Sequence, residues 1–99
     1  MKVIDGETAA KTYDFVIDNS NNQPPVKLKQ KGLAGAETVD LQASSDGGTS
    51  YEDVYEAGTQ AQLSVTNTDL QILAPGYYRL NKGVTAGGVT VSLSTMANA

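Results

Sequence analysis

The sequence predicts an all-β protein of about eight short antiparallel strands in a small β-sandwich or barrel, and three observations lead there. Apolar and polar residues alternate in short runs: Val39, Leu41 and Ala43 are interleaved with Thr38, Asp40 and Gln42, and the same period of two returns in Leu63/Val65, Leu70/Ile72, Tyr78/Leu80 and Val89/Val91/Leu93. Turn-forming residues separate the runs, above all Asp46-Gly47-Gly48, Pro75-Gly76 and the stretch from Gly83 to Gly88. No helical stretch is available to cross between parallel strands, so neighbouring strands are expected to run antiparallel.

Taken in order, residues 1–11 read as a mobile arm or a short first strand, residues 12–95 as a single β domain and residues 96–99 as a frayed tail. Tyr13, Phe15 and Ile17 share one face of a strand that ends in the polar loop Asp18-Asn19-Ser20-Asn21-Asn22-Gln23-Pro24-Pro25, where Asn and Asp compete for backbone hydrogen bonds and proline withholds donors. Val26–Lys31 is the next strand, and Gly32-Leu33-Ala34-Gly35-Ala36 a flexible connection. Strands at 37–43 and 51–57 flank a hairpin loop, Ser44–Ser50, whose glycines tolerate positive φ. Gly58 and Thr59 separate 51–57 from 60–66. Asn67-Thr68-Asp69 leads into Leu70–Ala74, and Pro75-Gly76 has the chemistry of a type II turn before Tyr77–Lys82. Val89–Thr95 is the last strand. A helix over Glu52–Gln62 is the competing reading of that segment, and Gly58 interrupts it.

A chain of 99 residues encloses one core. At this size folding buries only about 60–70% of the unfolded chain's surface, which makes oligomerisation an obvious source of added stability. Cysteine and histidine are both absent. That removes disulfides, thiol nucleophiles, the usual zinc ligands and the side chain most used for proton transfer near neutral pH. No catalytic residue, cofactor or metal is therefore expected. Net charge is −4, unevenly spread: residues 1–36 carry Lys2, Lys11, Lys27, Lys29 and Lys31 against Asp5, Glu7, Asp14 and Asp18, whereas beyond them only Arg79 and Lys82 oppose seven carboxylates. This distribution argues against nucleic-acid binding, which depends on clustered positive charge. No apolar run approaches the ~20 residues that span a bilayer, and residues 1–10 lack the pattern of a secretory signal, so synthesis in a cytoplasm and no membrane partner are expected.

Smaller constellations have both a structural and a functional reading. Asp18-x-Ser20-x-Asn22 begins like a calcium loop, but Gln23 stands where glycine is needed and Lys29 where a bidentate glutamate belongs. Asp46-Gly47-Gly48 is explained by a hairpin tip. Glu52, Asp53 and Glu56 form the tightest acidic group. Two of them could act on a glycosidic bond, but a solvated acidic face is the simpler reading. Lys27, Lys29 and Lys31 line one face of a strand, which reads as a solvated or edge strand guarded against aggregation. Finally, Tyr51, Tyr55, Tyr77 and Arg79 are the candidate interface. Tyrosine and arginine are enriched in binding hot spots, and if Tyr78 and Leu80 point inward then Tyr77 and Arg79 point outward together. Local cross-strand pairing would explain the same residues.

Three segments carry a resemblance: Val39-Asp40-Leu41-Gln42-Ala43-Ser44-Ser45-Asp46-Gly47-Gly48-Thr49-Ser50-Tyr51-Glu52-Asp53-Val54, then Pro75-Gly76-Tyr77-Tyr78-Arg79-Leu80-Asn81-Lys82, then Gly88-Val89-Thr90-Val91-Ser92. Their order resembles small structural proteins of tailed bacteriophages, specifically capsid decoration (cement) proteins, over roughly residues 37–95. The resemblance implies a non-enzymatic virion component seated on the outside of the head shell, with the major capsid protein as partner. Outside the resemblance, repetition on a symmetric surface suggests a homo-oligomer, for which a trimer would suit threefold positions, and residues 1–11 are expected as an arm that adds to a neighbour's sheet edge. A second reading, from the outward tyrosines, is a carbohydrate- or receptor-binding module of a phage tail or adhesin.

Overall fold

Strand alternation becomes a two-sheet architecture in the computed structural model, which describes residues 1–18 and 24–95. Among these residues there is no helix, and eleven strands form. They are β1 (Lys2–Glu7), β2 (Lys11–Ile17), β3 (Val26–Lys31), β4 (Val39–Ser44), β5 (Glu52–Asp53), β6 (Tyr55–Glu56), β7 (Thr59–Gln60), β8 (Gln62–Leu63), β9 (Asp69–Ile72), β10 (Gly76–Lys82) and β11 (Val89–Thr95). Sheet A has the order β1-β11-β3-β9; sheet B has the order β2-β10-β4-β5, with β8 also pairing β4; β6 and β7 form a separate ribbon. Every pairing is antiparallel. Neither sheet closes on itself, so of the two architectures expected the sandwich is the one formed.

The chain weaves between the layers. β1, β3, β9 and β11 belong to sheet A, and each is joined directly to a sheet B strand. The inward residues of both sheets meet in one core. Sheet A contributes Ile4, Val26, Leu28, Ile72, Val89, Val91 and Leu93; sheet B contributes Phe15, Ile17, Val39, Leu41, Leu63, Tyr78 and Leu80. On sheet B the inward rings of Tyr13, Phe15 and Tyr78 stack in series, with centroids 5.9 and 5.8 Å apart. The Tyr78 hydroxyl donates to the Ala74 carbonyl, which satisfies its polar end inside an apolar layer.

Several expectations are corrected here. Of the two readings of residues 1–11, a mobile arm and a short first strand, residues 2–7 take the second: β1 pairs β11 (Lys2↔Ser92, Ile4↔Val91, Glu7↔Val89) and Ile4 is wholly buried. Burial of such a side chain is worth about 1.5–3 kcal/mol, enough to hold the segment in its own sheet. β3 is not an edge strand, because β11 lies on one side of it and β9 on the other. Pro75-Gly76 is not a hairpin turn either. β9 and β10 lie in different sheets, and Gly76 opens β10 with φ +155°, far from the value of about +80° that a type II turn requires. The segment 51–66 holds four two-residue strands instead of two long ones. Its helix alternative fails at Ala57 (φ +52°) and Gly58 (φ +81°), which make the positive-φ pair of a tight hairpin between β6 and β7. The loop reading, including the calcium-loop comparison, falls largely on residues 19–23, and the frayed-tail reading on 96–99; both lie outside the described residues.

Close backbone approach marks one end of the sandwich. A methyl group on Gly32, whose φ is +108°, would lie 2.2 Å from the Gly88 carbonyl oxygen, and one on Gly88 would lie 3.0 Å from the Gly6 oxygen. The loops 32–38 and 83–88 are also tied together by Glu37, whose carboxylate accepts from the amides of Ala34 (3.0 Å) and Ala86 (2.8 Å). These two hydrogen bonds, the Ala86 one foremost, hold the Glu37 carboxyl below its ordinary pKa.

Candidate functional site

Alternation along β10 turns Tyr78, Leu80 and Lys82 inward and Tyr77, Arg79 and Asn81 outward. The outer face of sheet B is therefore read in rows across its strands. One row is Asp14, Arg79, Gln42 and Asp53; beside it lie Val16, Tyr77 and Ser44 on one side and Thr12, Asn81 and Asp40 on the other. Arg79 is the centre of this face. Its guanidinium donates from Nε to Asp14 Oδ1 at 2.6 Å and from Nη2 to Asp14 Oδ2 at 3.0 Å. The ring of Tyr51 lies 4.1 Å from the guanidinium carbon, measured to the ring centroid. A bidentate carboxylate on one side and an aromatic face on the other leave the guanidinium little rotational freedom. The Arg79 hydrogen bond holds the Asp14 carboxyl below its ordinary pKa, and the same contact raises that of Arg79.

The loop Ser44–Ser50 presses Tyr51 into place. Asp46 accepts from Ser44 Oγ (2.6 Å), Ser50 Oγ (2.6 Å) and the amides of Ser50 (2.9 Å) and Thr49 (3.1 Å), while Ser44 Oγ accepts from the Gly48 amide at 2.8 Å. With so many donors, led by the Ser44 and Ser50 hydroxyls, the Asp46 carboxyl is held far below the usual carboxylate range. The loop's geometry is consumed by its own side chains, which accounts for Asp46-Gly47-Gly48 without a ligand. Gly48 sits between two rings, since a methyl group there would lie 3.3 Å from the Tyr51 hydroxyl and 3.6 Å from Tyr77 Cδ2.

Of the four candidate interface residues, the fold thus brings Tyr51, Tyr77 and Arg79 together on one rigid face. Tyr77 is 44% exposed there, and Arg79 and Tyr51 are half-buried beneath it. Tyr55, 61% exposed, stands on the β6–β7 ribbon opposite Gln60. Glu52 and Asp53 lie on β5 and Glu56 on β6, all exposed, and Asp53 accepts from Gln42 Nε2 at 3.0 Å. Among the described residues no group of three or more His, Cys, Asp or Glu could hold a metal ion. A cleft of about 630 Å³ opens between β9 and the β7–β8 side, floored by Leu41, Val54, Ala61, Ile72 and Tyr78, with Glu56 and Asp69 at its rim.

One buried charge escaped the sequence reading. Lys82 is wholly buried, and its ammonium donates to the carbonyls of Ala9 (2.7 Å) and Gly83 (2.9 Å), stitching the β1–β2 connection to the end of β10. The alternation that placed Tyr78 and Leu80 inward reaches Lys82 at the next step, so the signal was present. No helix among the described residues is long and apolar enough to cross a membrane. Compared with known proteins, the chain matches no family model, no curated protein and no solved structure.

Proposed function

We propose that this chain is a non-enzymatic structural protein of a bacteriophage virion, a capsid decoration protein that binds the outside of the head shell and stabilises it. The outer face of sheet B, with Tyr51, Tyr77 and Arg79, is its contact surface. The observation that carries the reading is the locked Arg79: a guanidinium clamped by Asp14 and stacked on Tyr51, beside an exposed Tyr77, presents hot-spot chemistry at little entropic cost on binding. Such a face, repeated over a symmetric shell, gains from avidity even when each contact is weak. The resemblance over residues 37–95 supplies the identity of the partner, the major capsid protein. β1 has no part in attachment as a free arm, because its own sheet occupies it.

The exposed Tyr77 ring, flanked by polar Ser44 and the Arg79–Asp14 pair, also suits stacking against a sugar, which keeps the receptor-binding reading in play. One experiment separates the two. Purified protein is mixed with decoration-free phage heads, sedimented, and applied in parallel to a glycan array. The decoration reading expects saturable co-sedimentation that Tyr77→Ala weakens by more than about tenfold, the loss expected of a central aromatic anchor. Absence of head binding together with a glycan signal lost in Tyr77→Ala would replace it with the carbohydrate reading.

A further inference from the structure

The sandwich is electrically polarised across its thickness. β3 is internal to sheet A, so Lys27, Lys29 and Lys31 do not protect an edge and form an exposed row on its outer face. All three are exposed and point outward, about 6.6–6.8 Å apart along the strand by β geometry. Across the sheet they align with hydroxyls: Lys31 with Thr90, Lys29 with Ser92 and Lys27 with Ser94. Lys2 on β1 joins the same row through Ser92. Against these four cations the outer face of sheet A sets Asp69, opposite Lys29, and Asp5, 3.9 Å from Lys2. The outer face of sheet B has the opposite balance. Asp14, Asp40 and Asp53 lie on it against Arg79, which is already paired with Asp14.

From this we infer that the partner of the lysine face is a second copy of this chain, docked so that the outer face of sheet A in one copy lies on the outer face of sheet B in the next. Charge complementarity carries the choice of occupant. In a chain of net charge −4, the outer face of sheet A carries four lysines against Asp5 and Asp69, whereas the outer face of sheet B carries Asp14, Asp40 and Asp53 against Arg79. A contact between unlike faces is head-to-tail: it closes into a ring if the rotation between copies permits and otherwise continues as a stack. Four strands about 4.8 Å apart and roughly 20 Å long offer on the order of 400 Å² per face, half of what a stable complex of standard size buries per partner. The association is therefore weak, salt-sensitive and suited to crowded arrays. The inference adds a second copy of the chain as a further partner for the sheet B face that the proposed function gives to the head shell, and so rests on that face being a contact surface.

Charge exchange tests it. Wild-type protein is compared by sedimentation equilibrium at about 0.05 and about 0.5 M salt, conditions that differ severalfold in screening length. Two double variants, Lys27→Glu with Lys31→Glu and Asp40→Lys with Asp53→Lys, are studied separately and mixed, with circular dichroism confirming that each is folded. The expected result is association of wild type at low salt, lost at high salt, and weakened more than about tenfold in either variant alone. Mixing the variants is expected to restore it, because the reversed faces complement each other. A wild type that stays monomeric at every concentration, or variants that fail to associate on mixing, would overturn the inference. Retention of wild type on immobilised heparin, lost in the lysine variant while no self-association is seen, would assign the lysine face to an anionic polymer instead. Head binding that persists in the absence of self-association would leave the decoration reading standing and remove only this contact.

Discussion

Gly32→Ala is expected to destabilise the fold by about 2–5 kcal/mol, through two effects the structure allows to be separated. Its backbone φ of +108° is one, since an L-residue held at positive φ costs roughly 1–2 kcal/mol. The other is steric. The added methyl would stand 2.2 Å from the Gly88 carbonyl oxygen, and that oxygen belongs to a backbone whose own Cα already faces Gly6, with about 3.0 Å left for a methyl. Neither partner is a flexible side chain that can swing away, so the loops 32–38 and 83–88 must separate, at a further cost of about 1–3 kcal/mol for an overpacked site. Gly35→Ala is the internal control. Its φ is +59° and a methyl there meets nothing within 4 Å, so only the backbone strain should appear, about 1–2 kcal/mol. Urea unfolding followed by tyrosine fluorescence reads both, because the chain has five tyrosines and no tryptophan to mask them. Equal losses in the two variants would refute the reasoning, since they would mean that the close approach of Gly32 to Gly88 contributes nothing.

Three further outcomes follow from the core and the ionisable groups. Leu80→Ala, at a wholly buried position between Tyr13 and Leu41 in sheet B, is expected to cost about 2–5 kcal/mol in the same urea assay, whereas a loss below about 1 kcal/mol would show that the layers collapse onto the cavity. Asp14, Glu37 and Asp46 are all held below their ordinary pKa in the folded state, so the unfolded chain binds protons more readily than the native one. Their contribution is complete above the unfolded carboxylate range of about pH 4 and is lost as pH falls through the folded values, so a melting temperature that fails to drop between about pH 5 and pH 2 would contradict the hydrogen-bond assignments. At the other extreme burial raises the Tyr78 phenol, so stability is full below about pH 10 and declines as pH climbs through the folded value.

How far the sequence could be read depended on whether the informative interactions were local. The bounds of β3 and β11 and the outward pairing of Tyr77 with Arg79 were legible because alternation is a property of adjacent residues. The Ser44–Ser50 loop was legible for the same reason, its hydrogen bonds lying within a few residues of one another. By contrast, the place of β3 inside sheet A depends on pairing with residues 69–72 and 89–95, which no local pattern encodes, so alternation alone fits Lys27, Lys29 and Lys31 to an edge strand as well as to a solvated face. Asp14 was not grouped with Arg79, its bidentate partner, because 65 residues separate them. Lys82 was missed for a different reason. Composition teaches that lysine faces solvent, and here the strand's period overrides composition because two carbonyls accept from its ammonium. Leu73 and Val84, at 70% and 78% exposure, run the other way and show that an apolar residue beyond a strand's end is no guide to the core.

The order in which the strands sit bears on how the molecule comes into being. β10 is flanked by β2 and β4, and β11 by β1 and β3, so the middle of each layer is occupied by one of the last two of the eleven described strands to be synthesised. Until they emerge, β1 and β2 have no hydrogen-bonded neighbour, and β3 and β4 expose Leu28 and Leu41 with one edge unpaired. A nascent chain halted near residue 75 would therefore carry scattered sticky segments in place of a smaller version of the domain. Completion of β10 and β11 zips both layers at once, which makes maturation a single late event and exposes any truncated product to aggregation.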